Sequence, residues 1–256
     1  MIPAIRVIGI SGMPEVETGN DLASLIAEAA GGRNLVIEQQ DILVVTQKVV
    51  SKAEGRIIHL GDIQPSHAAF QLSEGTDRDP CLTEIILRES VRIVRMDRGN
   101  IISETRHGFN CANAGVDASN VPEQGTVSLL PIDPDASAEK IRGGILKTIG
   151  VEVAVIISDT FGRPWREGAV NVAIGVAGIA PLKYYKGRKD SHGRMMRSTV
   201  ISIADELAAT AELVMGKVDR VPVALIRGFK YDQEDATILP KGARALIIPQ
   251  ERDMFR

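Results

Sequence analysis

The chain has 256 residues, 44% hydrophobic and 25% charged, with a formal net charge of −3. That is the composition of a folded protein with a sizeable core, and it excludes a disordered chain or a general binder of polyanions, so neither nucleic acid nor an acidic membrane is an expected partner. The two cysteines, Cys81 and Cys111, and the four scattered histidines lack metal-ligand spacing, which argues against a zinc centre and for reduced thiols.

The opening MIPAIRVIGISG lacks the basic-then-apolar form of a signal peptide, and no apolar run approaches membrane-spanning length. A cytoplasmic protein is expected. Ile5 to Ile10 reads as the first strand. Asn20 or Asp21 caps a helix through Ala30, which Gly31 and Gly32 stop. Asp41 to Val50 reads as a strong buried strand. Residues 60–80 are the most loop-like stretch. A helix follows from Pro80 to about Arg88, then a hairpin of Ser90 to Met96 and Asn100 to Thr105. TVSLLP is another short strand. Ser137 or Asp135 caps a helix through Ile149, and Gly150 ends it.

Val151 to Thr160 is the cleanest strand, apolar enough for burial on both faces. The Ala/Gly-rich segment 168–179 is expected to pack closely on a neighbouring element. Lys183 to Arg194 is a basic loop, a long helix runs from about Thr199 to Met215, and Val221 to Phe229 is a last core strand. The order implies a mixed α/β fold with sub-lobes. Without GxxxxGK[ST] or a strand-linked GxGxxG, neither a Walker nor a Rossmann fold is supported.

Four segments carry candidate chemistry. Asp159–Thr160 ends an apolar strand, where open α/β sheets bind ligands, and supplies hard oxygen ligands suited to Mg²⁺ or Mn²⁺. Arg163 and Arg166 follow at once and can clamp phosphate or carboxylate oxygens. The segment 113–120 offers Asp117 as a second carboxylate and Asn120 as a bidentate amide. Its alternative is an Asx-rich turn that satisfies its own backbone. In segment 47–56, Lys52 is a point charge for phosphate, or simply a strand end reaching water. The basic loop with Arg188 and Lys189 suits an anionic substrate, or is a solvated charge run. Cys111 is read as a small buried hydrophobe rather than a nucleophile. These residues alone also fit a two-metal phosphohydrolase or a nucleotide-sensing module.

GMPEV, VVTQKVVSKAEGR, AGVDASN, LLPIDPDASAEKIR, VIISDTFGRPWREG, KYYKGRKDSHGR, IADELAATAELVMGK and VPVALIRGF occur in this order and span nearly the whole chain. Together they resemble the coenzyme F420-0:L-glutamate ligases. The resemblance implies a single catalytic domain over residues 1–256, an intertwined α/β homodimer, and no C-terminal flavin-binding domain of the kind fused in bacterial forms. It implies GTP-dependent joining of L-glutamate to the lactyl carboxylate of coenzyme F420-0 or its dehydro form, with further γ-linked glutamates or a paralogous acceptor left open. Carried over by position, Met13, Pro14, Glu15, Val16, Gln47, Lys52 and Asn120 are GTP contacts. Asp117, Asp159 and Thr160 are ligands to Mg²⁺ or Mn²⁺, with K⁺ as an added cation. Lys52, Arg163 and Arg166 then offset transition-state charge, and Arg188 and Lys189 bind the polyanionic acceptor. One position departs: Lys217 stands where an acidic or amide residue for a second metal is expected.

Overall fold

The computed structural model describes residues 2–119, 121, 123–233 and 240–254, so the expected nucleotide contact Asn120 lies outside the described residues. Strand β1 (Arg6–Ile10) leads into helix α1 (Leu22–Gly31), capped by Asp21, which accepts from the Ala23 N–H at 3.2 Å. Strand β2 (Ile42–Thr46) passes straight into helix α2 (Gln47–Ala53). The expected strand Asp41 to Val50 is therefore cut at Thr46. A short apolar run carries no period that separates strand from buried helix. Here the helix is fixed by Ser51 Oγ donating to Gln47 Oε1, four residues back, at 2.8 Å. Lys48 and Lys52 thus ride on a helix.

The stretch 60–80 is not all loop. After β3 (Ile57–His59), Ser66 caps a short helix α3 (His67–Ser73) by accepting from the Ala69 N–H at 3.2 Å. Helix α4 (Pro80–Glu89) and the hairpin of β4 (Ser90–Asp97) and β5 (Asn100–Thr105) follow as expected. Strand β6 (Asn110–Ala112) joins β5, and β7 (Thr126–Ser128) pairs with β3. Helix α5 (Pro134–Ile149) is capped by Asp133, not by Ser137 or Asp135. Asp135 is drawn away to accept from the Val176 and Ala243 N–H groups, each at 2.8 Å. Strands β8 (Ala154–Phe161) and β9 (Val170–Ala177) form a long hairpin. Strand β10 (Leu182–Tyr184) pairs with β11 (Val200–Ser202), which takes the first turn of the long helix expected from Thr199. Helix α6 (Ile203–Met215) starts only after it, and β12 (Val223–Arg227) is the last strand among the described residues.

The central sheet has the order β1-β12-β2-β8-β9. Strands β2 and β8 are parallel and the other neighbours antiparallel. Alternate residues point to opposite faces of a sheet. Leu43, Val45, Val155 and Ile157 bury against α1 and α5, while Ile42, Val44, Ala154 and Ile156 bury against α6. The sheet is therefore covered on both faces, as the unbroken apolar runs of β2 and β8 require. A smaller core of Ile85, Ile86, Ile101, Val116 and Val127 forms the sub-lobe that carries segment 113–119. The close packing expected of segment 168–179 is seen at Gly175, where a Cβ would overlap the Pro134 backbone.

Strand directions place the chemistry. β1, β2 and β8 run one way and β12 the other. Their carboxyl ends and the start of β12 thus share one edge. Segments 11–21, 47–53, 159–169 and 216–222 all meet there.

The opposite edge is held by charge. Asp41, 1% exposed, accepts from Arg227 Nε at 2.8 Å and Nη2 at 2.6 Å, and Glu38 takes Nη1 at 2.7 Å. Removing one partner strands a buried charge, at a cost of about 3–5 kcal/mol. Arg227→Leu is expected to lower the melting temperature by roughly 6–15 °C. Calorimetry checks it, and an unchanged midpoint would show the pair to be dispensable. Among the described residues no helix is long and apolar enough to cross a membrane.

Candidate functional site

Asp159 and Asp117 are the centre of the shared edge. Asp159 stands near the end of β8 and accepts the Thr160 N–H at 2.8 Å. Burial, the largest influence, pushes its carboxyl up to about 6, and the charge of Asp117 adds to this. The Thr160 N–H, Lys48 and Lys217 pull the other way. Asp117 follows a strained turn in which Asn113, Ala114 and Gly115 have φ of 54°, 53° and 72°. Non-glycine residues pay for that conformation, and such strain gathers where geometry is over-determined. Arg78 braces the turn by donating to Asn113 Oδ1 at 3.0 Å. Burial also pushes Asp117 up, but Lys48 and the Ser119 N–H and hydroxyl outweigh it and hold the carboxyl below its ordinary value.

Lys48 is the residue that sequence reasoning passed over. Its ammonium pairs with Asp117 and donates to Ser119 Oγ at 2.9 Å. Read as part of a strand, its direction was hidden; on a helix starting at Gln47 it faces the turn bearing Asp117. Gln47 is fully buried, and its Nε2 has no partner among the described residues. A buried donor left unpaired is costly, so it marks a place for an acceptor. Lys52 pairs with Glu15 of the expected GTP segment. Met13 and Val16 turn their side chains into the core, which leaves the backbone of 13–16 as the surface a ligand can use.

Asp159 and Thr160 are neighbours on one strand and project to opposite faces. Thr160 donates to Asn171 Oδ1 at 2.7 Å and accepts from Lys217 Nζ at 2.6 Å. The structure thus brings Asp117, Asp159 and Lys48 to one side and Thr160 with Lys217 to the other. Arg163 spans its own loop, donating to the Gly168 carbonyl at 3.2 Å and the Glu167 carbonyl at 3.0 Å. Arg166 is exposed, and Trp165 between them is 81% exposed with φ of 58°. Arg188 and Lys189 lie apart, on the loop between β10 and β11, with Arg188 over the Tyr185 ring at 5.7 Å. The 13 residues of α6 separate that ribbon from Lys217, a helix about 20 Å long.

Cys111 is buried and its thiol is pushed up to about 12, chiefly by burial and then by Asp159. It stays protonated, as a small hydrophobe does. A cleft of about 690 Å³ lies at the Val176–Ala177 end of β9, away from Asp159. It borders residues outside the described range and is not this site.

The donor set fits a hard divalent ion. No three His, Cys, Asp or Glu groups gather into a metal cluster among the described residues. The chain offers two carboxylates, Asp117 and Asp159, and the balance of a coordination sphere would come from water and phosphate oxygens, as Mg²⁺ prefers.

The F420-0:Gamma-glutamyl ligase family model matches residues 11–228. A coenzyme F420:L-glutamate ligase of Methanothermobacter thermautotrophicus is 49% identical, over 98% of this chain and 99% of that protein. Those of Methanopyrus kandleri and Methanocaldococcus jannaschii are 45% and 44% identical, covering 100% and 98% of this chain and 99% and 97% of their own lengths. With this coverage and these motifs on one sheet edge, the chain belongs to the F420-0:Gamma-glutamyl ligase family.

Proposed function

We propose that this protein joins L-glutamate to the carboxylate of coenzyme F420-0 in a GTP-dependent reaction through an acyl phosphate. The observation that supports it most is the coupled pair Asp117–Asp159, flanked by Lys48 and by the segments resembling GTP contacts. A carboxylate is inert to an amine at neutral pH. Moving the γ-phosphoryl group onto it forms a P–O bond to the acceptor and breaks the P–O bond to GDP. The glutamate amine then attacks the acyl carbon, phosphate leaves, and the new amide nitrogen sheds a proton. A divalent ion held by Asp117 and Asp159 would offset phosphate charge during transfer. Lys48 and Lys52 bring ammonium groups to the same edge, Gln47 offers an amide donor, and the backbone of 13–16 approaches the nucleotide. Positioning of the neutral amine carries much of the rate.

Product mass spectrometry with GTP, Mn²⁺, glutamate and the deazaflavin acceptor tests this. A glutamyl adduct, with phosphate release only when glutamate and the deazaflavin acceptor are both present, supports the ligase. Phosphate release without glutamate would indicate a phosphohydrolase, and GTP binding without either product a sensing module. Trp165 is the only tryptophan and stands exposed on the loop after Asp159. Its fluorescence is expected to be quenched by the flat acceptor ring, and an unchanged signal would place the acceptor elsewhere. Homodimerisation is part of the proposal. The edge strand β4 exposes Val91 (64%) and Val94 (43%), and light scattering should read twice 27.6 kDa.

A further inference from the structure

We propose that the Lys217 ammonium is the second cation of this site, so that each chain holds one divalent ion, at Asp117 and Asp159, and supplies the charge on the Thr160 side from its own lysine. This rests on the reading that the site takes a divalent metal and a nucleotide. The face of β8 opposite Asp159 carries a continuous chain of hydrogen bonds. Lys217 Nζ donates to Thr160 Oγ1 at 2.6 Å, Thr160 donates to Asn171 Oδ1 at 2.7 Å, and Asn171 Nδ2 donates to Glu212 Oε2 at 2.8 Å.

The direction of these bonds matters. The Thr160 proton is committed to Asn171, and one oxygen lone pair is committed to the ammonium. An ammonium has three donors and no acceptor, so Lys217 cannot be a metal ligand. A divalent ion on the remaining lone pair of Thr160 would face a like charge across one oxygen atom, an arrangement Coulomb's law penalises strongly at that range.

The backbone delivers Lys217 to this place. Gly216 ends α6 with φ of 61°, and a Cβ there would overlap the Asp219 carboxylate. The Pro222 carbonyl accepts the Thr46 N–H at 2.9 Å, which ties segment 216–222 to the end of β2. The ammonium is therefore a built feature of the edge, although the residue itself is exposed.

The test is a count of bound Mn²⁺ by electron paramagnetic resonance, with a non-hydrolysable GTP analogue present. The native chain is expected to bind one uncoupled ion, and Lys217→Glu two ions with the broadened signal of a coupled pair. Lys217→Gln serves if the glutamate variant does not fold. Two ions in the native chain would overturn the proposal and leave the metal reading intact. One ion in both native and variant chains would show that Lys217 is not what excludes the second. No bound ion in any of them would defeat the metal reading itself, and this proposal with it. The glutamyl-adduct assay reads the ligase assignment separately.

Discussion

Asp159→Asn is expected to abolish turnover and to make the protein more stable. The activity loss follows from the loss of one of two carboxylates around the proposed ion. If the ion offsets several kcal/mol of transition-state charge, the rate falls by about 10³-fold or more. The stability gain follows from burial. The Asp159 carboxyl is pushed up to about 6, chiefly by burial, against roughly 3.9 in an unfolded chain. A carboxyl raised in the folded state holds its proton more tightly there. It opposes unfolding below about pH 4, loses that contribution as pH rises, and above 6 imposes its full cost. A shift of this size corresponds to about 1–3 kcal/mol. Asparagine has nearly the same shape and no charge. The metal-free variant should therefore melt several degrees higher than the native chain at pH 8, with the gap closing toward pH 4. Thermal unfolding in chelator at both pH values checks it. Equal melting points at pH 8 would show that the carboxylate is not under strain.

Lys48→Met is the second large effect. Lys48 neutralises Asp117, which burial would otherwise push upward. Losing a preorganised charged donor beside a reacting phosphate typically costs 10²–10³ in kcat. The same change raises the Asp117 carboxyl toward and beyond its ordinary range. Metal binding should then weaken most at acidic pH, where the proton competes with the ion. Kinetics with saturating GTP, together with Mn²⁺ titrations at pH 6 and pH 8, separate the two consequences. A variant with native kcat and native Mn²⁺ affinity would remove Lys48 from the site. Lys48→Arg should restore only part of the rate, since a planar guanidinium does not match a compact ammonium between Asp117 and Ser119.

Much of the site was legible because it depends on strand direction and hard-ligand chemistry. The apolar run before Asp159 announces a strand buried on both faces, and the carboxylate at its end stands where ligands bind in such sheets. What was not legible depends on finer geometry. The run 41–50 carries apolar residues on both sides of Thr46, Ile42–Val45 before it and Val49–Val50 after it, and it has no helical period long enough to reveal that the strand gives way to a helix or that Lys48 turns toward Asp117. The pair Asp159–Thr160 reads as one motif in sequence, yet strand alternation sends the two side chains to different faces. The helix of 134–149 begins one cap earlier than Ser137 or Asp135 suggests, because Asp135 is claimed by backbone groups 41 and 108 residues away. Arg163 reads as a phosphate clamp, whereas its guanidinium staples its own loop. Long-range partners of this kind leave no periodic trace.

The position of β12 bears on how the protein comes into being. Among the described residues it is the last strand in the chain, yet it is inserted between β1 and β2. The amino-terminal strand cannot join the sheet until residues 223–227 have left the ribosome, and Lys217 comes only shortly before them. Contacts this distant in sequence form slowly, because loop closure must precede their reward. A nascent chain that already carries Asp117 and Asp159 still lacks the finished edge. The proposed ion would therefore meet its full surroundings only after residues 216–227 have been made, and the candidate site matures late in synthesis.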